Sequence, residues 1–198
     1  MDITDYRVNR TAKKFLKNII TADLITNASR KGDKTMQINL YSTKLTEELK
    51  PALVKEKGLE YADDRICSPE AVANFFNNIF QLNEMAEEHC YMLAQNTKGM
   101  VLGVFLISKG TVNQTPVGIR EIFIRVLLTG ASCIILCHNH PSTDCSPSRD
   151  DILITQKLRE ACRLMGITLS DHIIIGGSAY FSFSESGMLR KDGAYEMV

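Results

Sequence analysis

Residues 131–152 read ASCIILCHNHPSTDCSPSRDDI, and the character of this stretch changes abruptly at His138. The run 131–137 is apolar enough to predict a buried central strand. The polar loop that follows leads to Pro147 and Ser148, which are typical of a helix start. The polar segment 138–151 therefore lies between a buried strand and a helix, and it is the best candidate for a functional site.

Helices and strands alternate on both sides of this stretch. Upstream, Ser68-Pro69-Glu70 predicts a helix start with a capping side chain, a proline in the first turn and an early acidic residue. The predicted elements are, in chain order, a helix after Ser68, a hairpin of strands over 88–95 and 100–108, a helix that ends at Gly130, the strand over 131–137, a helix from Pro147 to Gly166, and strands over 167–175 and 180–183. This pattern predicts an α/β (α+β) fold in which helices flank a mixed central sheet.

The N-terminal part of the chain has a different pattern. Residues 1–34 carry eight basic and four acidic side chains, and their apolar residues follow helical spacing. We expect an amphipathic helix there, whose basic face is either a solvated surface or a site for phosphate or a partner. A short strand over 36–40 and a weakly patterned stretch over 42–65 follow. The predicted division is an N-terminal extension over 1–65 and a main domain over 66–198.

Composition sets broad limits on function. The chain has 198 residues, 23 basic and 23 acidic side chains, and 44% hydrophobic residues. A chain of this size can bury a substantial core without disulfides or a structural metal. Its balanced charge argues against a surface wholly devoted to nucleic acid. It has no apolar run long enough to span a bilayer and no signal-like start, so we expect a cytoplasmic protein with no membrane partner.

The polar segment offers ligands for a metal ion. In an extended chain residues i and i+2 point the same way, so His138 and His140 can present two imidazole nitrogens to one ion. Asp151 lies in the first turn of the predicted helix and adds a carboxylate oxygen. Three protein ligands that leave a fourth position for water are typical of catalytic rather than structural zinc.

The spacing of these residues resembles a known motif. His-x-His, then seven residues, Ser148, two residues and Asp151 is similar to the JAMM metalloprotease motif of JAB/MPN domains. The segments GTVNQTPVGIREIF, ASCIILCHNHPS, PSRDDI and DHIIIG resemble, in order and spacing, the bacterial RadC-like branch of that superfamily. The resemblance covers roughly residues 66–190. One departure is Thr143, where the RadC-like pattern commonly has glycine, and this difference is expected to reshape the loop over the metal.

The resemblance implies a JAB/MPN-like (cytidine-deaminase-like) architecture and a function. It implies a zinc-dependent hydrolase of the metalloprotease or isopeptidase type, with Zn²⁺ on His138, His140 and Asp151. The expected partner is a protein or peptide substrate. The RadC-like branch offers no settled substrate that the resemblance could transfer.

A hydrolase of this type also needs a general base. The family supplies a glutamate from an upstream strand, and Glu88 is the position that matches it. Glu87 is the competitor, because only one of two adjacent strand residues can face the metal. Glu121, on a helix in this interpretation, is a weaker candidate.

Ser148 has two possible roles. It can cap the helix, with Asp151 completing a capping-box-like pair. The JAMM resemblance instead implies that its hydroxyl helps to hold the attacking water and the developing oxyanion.

The other polar residues and the cysteine near the motif each have their own interpretation. His89 is expected to be structural. Asp171-His172 is either a satisfied pair at a strand end or the source of a carboxylate that orients a ligand imidazole. Cys145 lies inside the loop, where it could intercept zinc or oxidise.

A second hypothesis is a RadC-like DNA-repair or mobile-element accessory protein that binds DNA or a protein partner without catalysis. DNA contact through the basic helix in 1–34 would support it, although residues 1–65 lack the glycine pattern of a helix-hairpin-helix module. An HNH-type nuclease is disfavoured, because the letters His138-Asn139-His140 are consecutive and are followed by the Ser148 and Asp151 spacing.

Overall fold

The apolar run that begins the motif forms an interior strand of a mixed sheet. The structure, a computed structural model, describes residues 35–61, 65–110 and 118–189. The strands of these ranges are β1 (Met36–Leu45), β2 (Pro51–Tyr61), β3 (His89–Gln95), β4 (Val101–Lys109), β5 (Cys133–Asn139), β6 (Thr168–Gly176) and β7 (Ala179–Ser182). The helices are α1 (Pro69–Phe80), α2 (Ile119–Thr129) and α3 (Arg149–Leu164), with a short 3-10 turn at Leu82–Glu84.

The strands form one sheet in the order β2-β1-β4-β3-β5-β6-β7. β5 runs antiparallel to β3 and parallel to β6, so its C-terminal end lies beside the beginning of β3 and the end of β6. This register places Cys90, His138 and Ile174 side by side across three strands. The α/β class with a mixed central sheet and flanking helices is confirmed.

Both faces of the sheet are packed, as expected from its continuous apolar strands. Phe75 and Phe76 of α1 pack against one face, where Tyr91, Leu93 and Ile135 belong to the same buried cluster. The opposite face is covered by α2 and α3, whose Ile122, Val126, Leu158 and Cys162 pack with Met92, Ala94, Ile134 and Leu136. Because strand residues alternate, His138 shares the α3 face with Ile134 and Leu136.

Local chemistry explains the helix ends. Ser68 accepts a hydrogen bond from the Ala71 N–H at 3.1 Å, which is the predicted cap of α1. α2 ends at Gly130, whose φ of 66° lies in the left-handed region that glycine adopts without strain.

The sheet extends further toward the N-terminus than the sequence pattern indicated. β1 reaches Leu45, whereas the predicted strand ended at residue 40. The weakly patterned stretch 42–65, for which no strand was predicted, contains the whole of β2. β2 is an edge strand whose residues 55–58 are all exposed, so its middle lacks the alternation that marks a half-buried strand. Because β1 pairs with β4, the sheet continues across the predicted boundary between residues 65 and 66. The predicted helix in residues 1–34 lies outside the described residues.

Within the described ranges, no helix is long and apolar enough to cross a membrane.

Candidate metal centre

Four ligand-type side chains meet where β5 ends and α3 begins. His138 is the sixth residue of β5, and His140 follows the strand, with its backbone N–H donating to the Ile175 carbonyl of β6 at 2.8 Å. Asp151 is the third residue of α3, and Glu88 immediately precedes β3. Their ligand atoms all lie within 4.8 Å of one another. The structure therefore brings together the three sequence-predicted metal ligands and the predicted base.

The distances inside this group are short. Nε2 of His138 lies 3.1 Å from Nε2 of His140 and 3.2 Å from Oδ1 of Asp151. Nε2 of His140 lies 3.4 Å from Oδ2 of Asp151, and Oε1 of Glu88 lies 3.8 Å from Nε2 of His138. Two imidazole nitrogens and carboxylate oxygens are a donor set that suits a divalent metal such as zinc. The residues present therefore fit a metal ion.

Comparison with known proteins identifies the domain that carries this group. The family model described as "RadC-like JAB domain" matches residues 66–188, which is more than half of the chain. The chain belongs to the RadC-like JAB domain family. The mixed sheet and the three α-helices of the described residues are consistent with the JAB-like fold.

Curated relatives agree with this assignment. A UPF0758 protein of Clostridium acetobutylicum is 42% identical over 125 residues, covering 63% of this chain and 54% of the relative. A UPF0758 protein of Methanosarcina acetivorans is 38% identical over 135 residues, covering 68% of this chain and 58% of the relative. The chain thus spans little more than half the length of these relatives.

In this RadC-like JAB domain, the capping geometry of α3 holds Asp151 in place. The Ser148 hydroxyl accepts from the Asp151 N–H at 3.1 Å and donates to Oδ2 of Asp151 at 2.6 Å. Oδ2 also accepts from the Ser148 N–H at 2.8 Å, which completes a capping box. The carboxylate that faces both histidines is thereby oriented by its own helix terminus. The cap is observed, and a role for Ser148 in catalysis stays a prediction.

Electrostatics favour the ionised carboxylate. Burial alone would raise the pKa of Asp151, but hydrogen bonds with His138 and His140, the electrostatic interaction with His138 and the hydrogen bond from Ser148 hold that pKa well below its usual range. The hydrogen bond to Asp151 raises the pKa of His140 against the opposing effect of burial. Asp151 thus keeps the negative charge that attracts a cation.

His140 is oriented by a backbone carbonyl. Its Nδ1 lies 2.8 Å from the backbone oxygen of Asp144, which can only accept, so Nδ1 carries a proton and Nε2 is the ring nitrogen available to a metal ion. The loop that supplies this carbonyl includes Thr143, whose φ of 66° is in the left-handed region. Glycine, common in the RadC-like pattern at this position, adopts that backbone without strain.

Glu88 and Glu87, the two candidates for the base, have different surroundings. Glu88 joins the ligand group and is mostly buried, with 13% of its side chain exposed. Glu87 is half exposed and pairs with Lys109 at 2.5 Å. Glu121 lies in the first turn of α2, where it pairs with Arg120 at 3.3 Å, outside the ligand group. Glu88 therefore has the position that a base needs, and its role stays a prediction.

Asn139, between the two histidines in sequence, fixes the segment that carries Glu88. Its side-chain oxygen accepts from the His89 N–H at 2.8 Å, and its amide nitrogen donates to the carbonyls of Met85 and Glu87 at 3.2 Å each. The side chain is buried, so these bonds are shielded from water. Sequence reasoning missed this contact because the partner residues lie about fifty positions upstream.

Asp171 and His172 have different surroundings. Asp171 accepts from the Ser182 hydroxyl at 2.6 Å and from the backbone N–H groups of His172 and Ser184, away from the ligand group. Nε2 of His172 lies 2.9 Å from Nδ1 of His138. Of the two residues, His172 rather than Asp171 thus lies behind the His138 imidazole.

His89 lies outside the ligand group, with its Nδ1 2.9 Å from the Glu87 carbonyl.

Proposed function

We propose that this RadC-like JAB domain is a zinc-dependent hydrolase that cleaves a peptide or isopeptide-like amide bond. The observation that carries the proposal is the meeting of Glu88, His138, His140 and Asp151 within 4.8 Å at the end of β5. His138, His140 and Asp151 would hold the ion. A zinc ion there would polarise the substrate carbonyl and lower the pKa of a coordinated water to about 7.

Glu88 is suited to move the proton that amide hydrolysis requires. Its carboxylate would accept a proton from the attacking water as the water oxygen bonds to the carbonyl carbon. It would then give that proton to the amine nitrogen as the carbon–nitrogen bond breaks. Its position 3.8 Å from His138 supports this role, because the carboxylate borders the place where the reacting water would lie.

Ser148 would assist as a hydrogen-bond donor. Its hydroxyl borders the same group and donates to Asp151. Rotation of the hydroxyl would direct its proton to the oxygen on which negative charge develops. Loss of such a donor typically slows the reaction by about 10²- to 10³-fold.

The two neighbouring glutamates allow a matched test of hydrolysis. Zinc-loaded protein would be assayed on short peptides and on peptides joined through a lysine ε-amide, with Glu88→Gln beside Glu87→Gln. We expect a substrate cleaved by the wild type and by Glu87→Gln, and turnover at least about 10²-fold lower in Glu88→Gln. Equal turnover in both variants would contradict the role of Glu88, and failure of the zinc-loaded wild type on every amide would contradict the hydrolase proposal.

A second candidate function rests on the charge of residues 1–34. Eight basic against four acidic side chains there favour a non-catalytic accessory protein that contacts DNA. Duplex DNA binding would be measured at several salt concentrations for the wild type and for a variant with Lys13, Lys14 and Lys17 changed to Gln. Binding that weakens steeply with salt and is lost in the variant would support this function. Salt-independent binding, or none, would contradict it.

A further inference from the structure

A chain of three hydrogen-bond contacts links two members of the ligand group behind the site. Nδ1 of His138 lies 2.9 Å from Nε2 of His172, and Nδ1 of His172 lies 2.6 Å from the Thr155 hydroxyl. That hydroxyl lies 2.5 Å from the backbone carbonyl of Asp151. All four residues are buried. The contacts thus lead from the His138 side chain, through the side chains of His172 and Thr155, to the backbone of Asp151. His138 and Asp151 are both expected metal ligands.

The direction of these hydrogen bonds follows from what each atom can do. A metal bound through Nε2 of His138 needs the lone pair there, so the ring proton must be on Nδ1. Nδ1–H then donates to Nε2 of His172, which leaves the His172 proton on Nδ1 to donate to Thr155. The Thr155 hydroxyl has one proton and donates it to the Asp151 carbonyl, which can only accept. In this direction every donor meets an acceptor.

The surroundings fix the position of each member. His172 stacks on Phe183, with ring centroids 5.1 Å apart and planes 10° from parallel. Thr155 lies one helical turn after Asp151 on α3, so its hydroxyl reaches the carbonyl four residues back. His172 is on β6 beside Leu136 of β5, on the face that α3 covers. The chain of contacts therefore connects β5, β6 and α3.

We propose that His172 and Thr155 are positioning residues that hold His138 in the tautomer with a free Nε2, ready to bind the metal. This inference rests on the proposed zinc site and adds two residues that do not touch the ion. It also gives Thr155 a function beyond helix packing, because its hydroxyl ends the chain on the backbone of a second ligand.

Zinc affinity of isosteric variants tests the proposal. Zinc alone is the probe, measured by competition with a chromophoric chelator on the full chain. We expect Thr155→Val, which keeps the shape and loses the hydroxyl, and His172→Phe, which keeps an aromatic ring and loses the acceptor, to bind zinc about 10- to 100-fold more weakly. Thr155→Ser, which restores the hydroxyl, should return affinity to within about 3-fold of the wild type.

Thr129→Val is the matched control. Thr129 also bonds a carbonyl four residues back, that of Arg125 on α2, and it contacts no member of the ligand group. We expect its zinc affinity to equal that of the wild type. The melting temperature of each zinc-free variant shows which of them fold.

Ring nitrogen chemical shifts give a second measurement that a purely structural role would not move. In zinc-loaded wild type, we expect His172 to be protonated at Nδ1 and unprotonated at Nε2. In the zinc-free protein no metal imposes that tautomer, so zinc-free Thr155→Val should lose it together with the acceptor for Nδ1–H, while zinc-free wild type and Thr129→Val should retain it.

The outcomes distinguish the two proposals. Folded Thr155→Val and His172→Phe with wild-type zinc affinity, or a His172 proton on Nε2 in the zinc-loaded wild type, would overturn the positioning role alone. A wild type that binds no zinc would overturn the metal site and the positioning role together.

Discussion

Asp151 combines a structural and a chemical task in one carboxylate. Oδ2 completes the capping box of α3, while both oxygens face the imidazoles of His138 and His140. The helix cap therefore also fixes the Asp151 oxygen that faces His140. The Ser148 hydroxyl orients this carboxylate, so a change at Ser148 tests both tasks.

Ser148→Ala should lower the free energy of unfolding by about 1 kcal/mol, because the Asp151 N–H loses its cap. It should also slow hydrolysis by about 10²- to 10³-fold if the hydroxyl assists the reaction. Chemical denaturation and turnover measure the two effects separately.

Ser68→Ala is the control, because Ser68 caps α1 in the same way, away from the ligand group. It should cost a similar amount of stability and leave turnover unchanged. Wild-type turnover in Ser148→Ala would leave this serine only its capping role.

At the scale of elements, the end of β5 positions the site through contacts with both neighbouring strands, β3 and β6. On the β3 side, Asn139 binds three backbone groups of the segment around Glu88. On the β6 side, the loop after His140 rests on the glycine that ends that strand. A Cβ on Gly176 would lie 2.6 Å from the backbone N of Cys145 and 2.6 Å from the backbone O of Thr143.

Asn139→Ala should lower the free energy of unfolding by about 2 to 4 kcal/mol, since it leaves the buried His89 N–H and two carbonyls without their partner. Equilibrium denaturation measures this loss. Asn77→Ala is the control, because Asn77 makes one exposed bond, to the Asn83 N–H, and should cost only about 1 kcal/mol. Equal costs for the two variants would contradict the bracing role of Asn139.

Gly176→Ala should displace the loop 143–145, because the new methyl group would overlap backbone that cannot rotate away. We expect a loss of about 1 to 3 kcal/mol in stability and weaker zinc binding, since the same loop supplies the Asp144 carbonyl that orients His140. Gly58→Ala is the matched control, because its nearest neighbour would be 3.8 Å away. Unchanged stability and zinc affinity in Gly176→Ala would show that the loop has more room than the structure gives it.

At the scale of the whole molecule, the sheet brings together residues that are far apart in sequence. Antiparallel pairing of β3 with β5 carries Glu88 to the histidines, and parallel pairing of β5 with β6 carries His172 behind His138. The two buried clusters on opposite faces hold these strands in register. The ligand group thus depends on the packing of the whole sheet.

The local parts of this arrangement could be predicted from the sequence. The apolar run before His138, the Ser68 cap and the glycine after α2 are signals within a few residues, and the elements that they predict are present. The spacing from His138 to Asp151 spans one strand end and one helix start, so its geometry also follows from local rules.

The parts that were missed depend on tertiary structure. β2 was not predicted because its middle is exposed and charged, so burial gives it no alternating pattern. The contacts of Asn139, Thr155 and His172 depend on strand register and on the rotation of α3, which no short segment encodes. One sequence signal was present for His172, because it lies in the DHIIIG segment of the predicted strand over 167–175.

The zinc content of the protein purified without chelators tests the central claim most directly. Wild type would be compared with His140→Ala and Asp151→Asn, and with Asp150→Asn as the control, because Asp150 is the exposed neighbour outside the ligand group. We predict about one zinc per chain in the wild type and in Asp150→Asn. The ion should be lost from His140→Ala and Asp151→Asn. A wild type that takes up no zinc when it is offered, or a stoichiometry equal in all four proteins, would contradict the assignment of this site.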